Sequence, residues 1–153
     1  MLCACYIIII IYFFPYFCLS PTKCRLVTLS ACETGLTDTT KQSDDCIGLA
    51  TGFLYAGSQG VLSSLWSVDD SATAFLMIKF YENLETADMA IALNTAQIWL
   101  RDVTKSKLLE WIGELKLDSK LPQSFEDLCK KSKPDKKLFE SPFYWAAFCA
   151  IGN

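Results

Sequence analysis

The run Leu26-Val-Thr-Leu-Ser-Ala-Cys-Glu-Thr-Gly35 limits this chain more than any other stretch. Apolar, β-branched residues followed at once by small and turn-forming ones read as a buried parallel strand running into a tight loop. In open α/β sheets, sites are built at the carboxyl ends of the strands. This reading puts Cys32 where a nucleophile is presented. A cysteine nucleophile works beside a base, yet the 153 residues contain no histidine.

The pattern after that run alternates. Asp44-Asp45 are good N-caps for a helix carrying Ile47, Ala50, Phe53 and Leu54, and Gly57 supplies its stop. Gly60-Val-Leu-Ser-Ser-Leu-Trp66 reads as a second buried strand, and Asp69-Asp70 cap a helix with Leu76, Met77, Phe80, Tyr81 and Leu84 on one face. Met89, Leu93, Ala96 and Leu100 mark a further helix. The stretch from Thr104 to Lys137 reads as a charged, partly helical insertion, and the apolar run from Phe143 to Gly152 as a third strand. Strand–helix–strand order implies a parallel sheet covered on both faces. Three strands make a thin one, against a usual five or six, so the chain reads as the second half of an α/β domain.

Composition narrows the function classes. A chain this long forms one domain with a real core, and 52% hydrophobic residues argue against disorder. A formal net charge of −3 gives no reason to expect nucleic acid, whose phosphates need clustered cations. The one basic cluster, Lys130 to Lys137, is broken by Ser132, Pro134 and Asp135 and reads as a solvated loop. The 8 cysteines lie in apolar runs or singly, unlike a disulfide scaffold. With neither a CxxC pair nor a histidine, the zinc patterns are not met, and no metal or cofactor is implied. A reducing cytoplasm is the expected compartment.

Residues 1–22 form an apolar N-terminal segment, uncharged from Leu2 to Leu19 and holding five isoleucines, Ile7 to Ile11. Roughly 20 apolar residues span a bilayer, so three readings stay open: a membrane anchor through 2–19, a cleaved signal, or a start foreign to the natural protein. Were it an anchor, Lys23 and Arg25 favour keeping residues 23–153 cytoplasmic.

Taken together, several blocks resemble the CHAT domain, a caspase- and separase-like cysteine peptidase module often attached to tetratricopeptide (TPR) repeats. They are Leu29-Ser-Ala-Cys-Glu-Thr-Gly35, Gly48-Leu-Ala with Phe53-Leu-Tyr-Ala-Gly57, and Val61-Leu-Ser-Ser-Leu-Trp-Ser-Val-Asp-Asp70. Thr73, Leu76-Met77 with Phe80-Tyr-Glu-Asn-Leu84, and Pro142-Phe-Tyr-Trp-Ala-Ala-Phe148 with Ile151-Gly152 complete the set. The resemblance covers residues 23–153 as the C-terminal part of such a domain.

It implies a caspase-like α/β sandwich with a parallel sheet, here incomplete, and peptide-bond cleavage by a Cys–His dyad. The family's cysteine falls on Cys32. Its histidine belongs to an earlier strand and loop, in a His-Gly pair that this chain does not contain. The glycine of that pair is expected to supply one oxyanion donor, and the Cys32 backbone N–H the other. Glu33 and Thr34 would position the cysteine loop. Asp69 or Asp70 would receive a basic side chain of the substrate, or serve only as helix caps, and Trp66 would line the pocket or the core. The implied partners are a protein or peptide substrate, and a TPR-bearing chain or a His-bearing N-terminal half. As it stands the chain is expected to be inactive; the alternative is a non-catalytic interaction module.

Overall fold

The computed structural model describes residues 5–9, 24–29, 49–115 and 121–152, the first of these as backbone alone. Four strands form one sheet in the order β1 (Cys5–Ile9), β2 (Cys24–Leu29), β3 (Gly60–Ser64) and β4 (Phe148–Gly152). β1 and β2 are parallel, β2 and β3 are parallel, and β4 runs antiparallel to β3. The molecule is therefore α/β, as expected, but its sheet is mixed rather than all-parallel.

Two corrections concern the strands. Cys5–Ile9 lies inside the apolar N-terminal run and pairs along β2, with Ile7 opposite Val27 and Ile9 opposite Leu29. The isoleucine tract thus adds a fourth strand to the three read from the sequence, in keeping with the fit of β-branched residues to a pleated surface. No helix among the described residues is long and apolar enough to cross a membrane. The second correction falls at the other end. The run from Phe143 to Gly152 is not one strand, because a short helix, α6 (Pro142–Trp145), precedes β4. Ser141 caps that helix, and Pro142, lacking an N–H, occupies its first turn at no cost. The turn reverses the chain at the carboxyl end of β3, where the Leu65 N–H donates to the Ala147 carbonyl at 2.7 Å. β4 consequently enters heading back along β3.

Side-chain alternation builds two cores from one sheet. Val27, Leu29 and Val61 face α1 (Leu49–Tyr55), where Ala50, Phe53 and Leu54 cover them. Gly57, at φ 100°, ends that helix in a conformation other residues reach only with strain. Leu26, Leu62 and Phe148 face the opposite layer, formed by α2 (Asp70–Leu84) and α3 (Met89–Asp102). The buried residues of α3, Ala92, Leu93, Ala96 and Leu100, repeat at the spacing of one helix face. Thr28 would leave a hydroxyl in this second core, but it lies 2.7 Å from the Tyr81 hydroxyl on α2.

The charged stretch after α3 folds as α4 (Lys105–Glu114) and α5 (Gln123–Lys131). Leu108 of α4 and Phe125 and Cys129 of α5 are buried. Phe75 of α2 joins α5 to the same core, with its ring 5.1 Å from Phe125 and 6.1 Å from Phe139. Trp99 and Trp111 meet edge to face at 4.6 Å, and the Lys79 ammonium lies over both rings. These contacts fasten α4 to α2 and α3.

Candidate functional site

β2 and β3 are adjacent and parallel, so their carboxyl ends share one rim of the sheet, with Leu29 opposite Ser63. Cys32, Glu33 and Thr34 follow β2 in the sequence and lie outside the described residues. Trp66, Asp69 and Asp70 follow β3 and are described in full.

Asp69 has extended backbone torsions, φ −63° and ψ 134°, and one carboxylate oxygen accepts from the Ala72 N–H at 3.0 Å. Its carbonyl accepts from the Thr73 N–H at 2.9 Å. This is a helix N-cap: the carbonyl takes the first bond of the helix, and the carboxylate satisfies one donor that α2 would otherwise leave open. Asp70 is the first residue of that helix, exposed, with no hydrogen bond or ion pair among the described residues. Its charge lies at the positive end of the helix dipole, where an anion is favoured. Of the two acids, then, Asp69 is committed to the backbone and Asp70 is exposed in the first turn.

Trp66 is half-buried against the main core, and its indole N–H donates to the Phe143 carbonyl at 3.0 Å. The bond spans 77 residues of sequence and fixes α6 against the rim. A second indole makes a local bond, Trp145 Nε1 donating to the Glu140 carbonyl at 3.2 Å and so tying α6 to the turn before it. Gln97 of α3 completes the anchorage, its amide donating to the Trp145 and Phe148 carbonyls at 3.0 Å each. Reading the sequence missed this arrangement because Phe143 to Trp145 look like strand core. The signal was present in Ser141-Pro142, an N-cap followed by a residue suited to the first helical turn.

Two further cysteines, Cys129 and Cys149, are free thiols. Burial pushes the Cys129 thiol up, against a smaller opposing pull from Lys105. Cys149 Sγ sits 3.3 Å from the Ser63 hydroxyl on the α1 face of the sheet. No group of three or more histidine, cysteine or acidic side chains is arranged to hold a metal among the described residues.

In the sequence Cys32 follows β2, and Trp66, Asp69 and Asp70 follow β3, each after the carboxyl end of a parallel strand, where α/β sheets build sites on loops. The family model of the CHAT domain matches residues 18–153, and the chain belongs to that family, a caspase-like, peptidase-related module. No curated protein and no solved structure matches this chain.

Proposed function

We propose that this chain carries the nucleophile half of a cysteine-peptidase site, with Cys32 as the nucleophile and the base supplied by a histidine outside these 153 residues. The observation that carries the reading is the family match across the Cys32 block together with the strand that leads into it. Cys32 is three residues past Leu29, within about 11 Å of the end of β2 at full extension, and the neighbouring strand delivers Trp66, Asp69 and Asp70 to the same rim.

In this account a histidine takes the Cys32 proton, and the thiolate adds to the scissile carbonyl carbon. The Cys32 N–H and the glycine beside that histidine hold the oxyanion. The carbon–nitrogen bond then breaks, the amine leaves with the proton returned by the imidazolium, and water hydrolyses the thioester. Glu33 and Thr34 hold the loop. Asp70 receives a cationic side chain near the scissile bond, and Asp69 keeps its backbone in place through the cap.

An ordinary thiol of pKa about 8.5 is only a few per cent thiolate at pH 7. Without the imidazole, Cys32 is open to slow alkylation and does not turn over peptides. The absence of histidine from the 153 residues favours a second reading, a non-catalytic interaction module with a caspase-like surface. Adding a polypeptide that bears the His-Gly strand and loop, or fusing it to the chain, separates the two. The peptidase reading expects cleavage of basic peptides that Cys32→Ala abolishes. Equal rates for wild type and Cys32→Ala, with the histidine supplied, leave only the interaction module.

A further inference from the structure

At the end of the sheet opposite the rim lies a cavity of about 480 Å³. It opens where β2 and β3 begin and β4 ends, beside the turn that joins α2 to α3. Leu26, Leu84 and Met89 give it an apolar wall, and Arg25, Gln59 and Asp88 supply its polar side chains. From Leu26 to Leu29 at the rim is about 10 Å of strand, so the cavity is separate from the peptide site proposed above. Its volume falls in the range of small-ligand sites, in which an apolar lining carries a few polar groups that orient the ligand.

The two charges on this cavity are uncommitted. Arg25 is the one exposed residue of β2, a strand otherwise buried. Asp88 is the N-cap of α3, and its carbonyl accepts from the Ala92 N–H at 2.8 Å, yet its carboxylate makes no cap hydrogen bond. Asp69, at the same position of α2, gives its carboxylate to the Ala72 N–H. Among the described residues neither the Arg25 nor the Asp88 side chain has an ion-pair or hydrogen-bond partner, and the two are not paired with each other across the cavity. A guanidinium and a carboxylate that share an apolar cavity complement a ligand with a carboxylate at one end and an ammonium at the other. The guanidinium fork takes a carboxylate through two parallel N–H···O bonds, and a carboxylate accepts from an ammonium.

We infer that this cavity binds a small zwitterion with an apolar side chain, of the class of a free aliphatic amino acid. Arg25 holds its carboxylate, Asp88 its ammonium, and the wall of Leu26, Leu84 and Met89 covers its side chain. The inference stands apart from the peptidase reading, since it uses neither Cys32 nor the residues that follow β3.

The test follows backbone amide shifts of the isotope-labelled chain during titration with L-leucine, N-acetyl-L-leucine and L-leucinamide. The second compound lacks the ammonium and the third the carboxylate. Leucine is expected to give saturable shifts at Leu26, Gln59, Met89 and Ala90, with a Kd no weaker than about 1 mM, and each blocked compound to bind about tenfold more weakly. Arg25→Gln should weaken leucine about tenfold and leave leucinamide unchanged, whereas Asp88→Asn should weaken leucine about tenfold and leave N-acetyl-leucine unchanged. The unchanged compound in each variant shows that the fold is intact. The inference is overturned by the absence of saturable shifts at these amides, or by equal affinity for all three compounds. It is also overturned if either substitution weakens all three compounds alike, or if both leave leucine binding unchanged.

Discussion

Asp69 and Asp70 are neighbours with the same side chain, and the structure gives them different work. The Asp69 carboxylate is held by a backbone donor at 3.0 Å, whereas Asp70 faces solvent. Asp69→Ala should therefore cost about 1 kcal/mol of stability, read by denaturant unfolding, and Asp70→Asn less than that. Phe80 is a harder case, fully buried in the main core with 0% exposure. Phe80→Ala removes its transfer energy and leaves a cavity, an expected loss of about 3–5 kcal/mol. Asp102 governs an acid-side dependence. The Arg101 guanidinium at 2.6 Å and the Lys137 ammonium at 2.8 Å hold its carboxyl well below the usual carboxylate range. A depressed carboxylate stabilises the fold above its unfolded pKa of about 3.9 and loses that contribution as pH falls toward the folded value. Stability measured from pH 5 down to 2 should thus fall less steeply in Asp102→Asn than in wild type.

Among the elements, the junction of α6 with β4 matters most, since it reverses the chain and sets the rim. One side chain, Gln97, satisfies two carbonyls there. Gln97→Leu leaves both without that donor, with an expected cost of about 1–2 kcal/mol and a larger loss of amide-exchange protection in β4 than in β2. Gly152 closes the same element. Its φ of +104° is unfavourable for any side chain, and a Cβ there would collide with the Gln59 carbonyl oxygen. β2, β3, α2 and α3 were legible in the sequence because their apolar residues repeat at strand or helix spacing and their caps are acids or glycine. β1 was not, because unbroken isoleucine carries no period: a buried strand and a membrane segment look alike in it. The direction of β4 was hidden for another reason. It depends on one short helical turn, whose residues Phe143 to Trp145 were read as part of a strand.

For the whole molecule, two layers of helix enclose a four-stranded sheet whose parallel strands end on a common rim. The family was legible from the order and spacing of its blocks, and the match over residues 18–153 bears that out. The site was legible only in part. Cys32 could be singled out because a strand runs into it, but Cys32, Glu33 and Thr34 lie outside the described residues. The central proposal is that Cys32 is the nucleophile of a site whose base lies outside these 153 residues. Its most direct test is the rate of Cys32 alkylation by iodoacetamide in the native chain, followed by peptide mapping from pH 5 to 10. The account predicts reaction in the folded state along the titration of an ordinary thiol, with a midpoint near about pH 8.5. Protection of Cys32 until the chain unfolds, or a fast plateau persisting at pH 6, would contradict it.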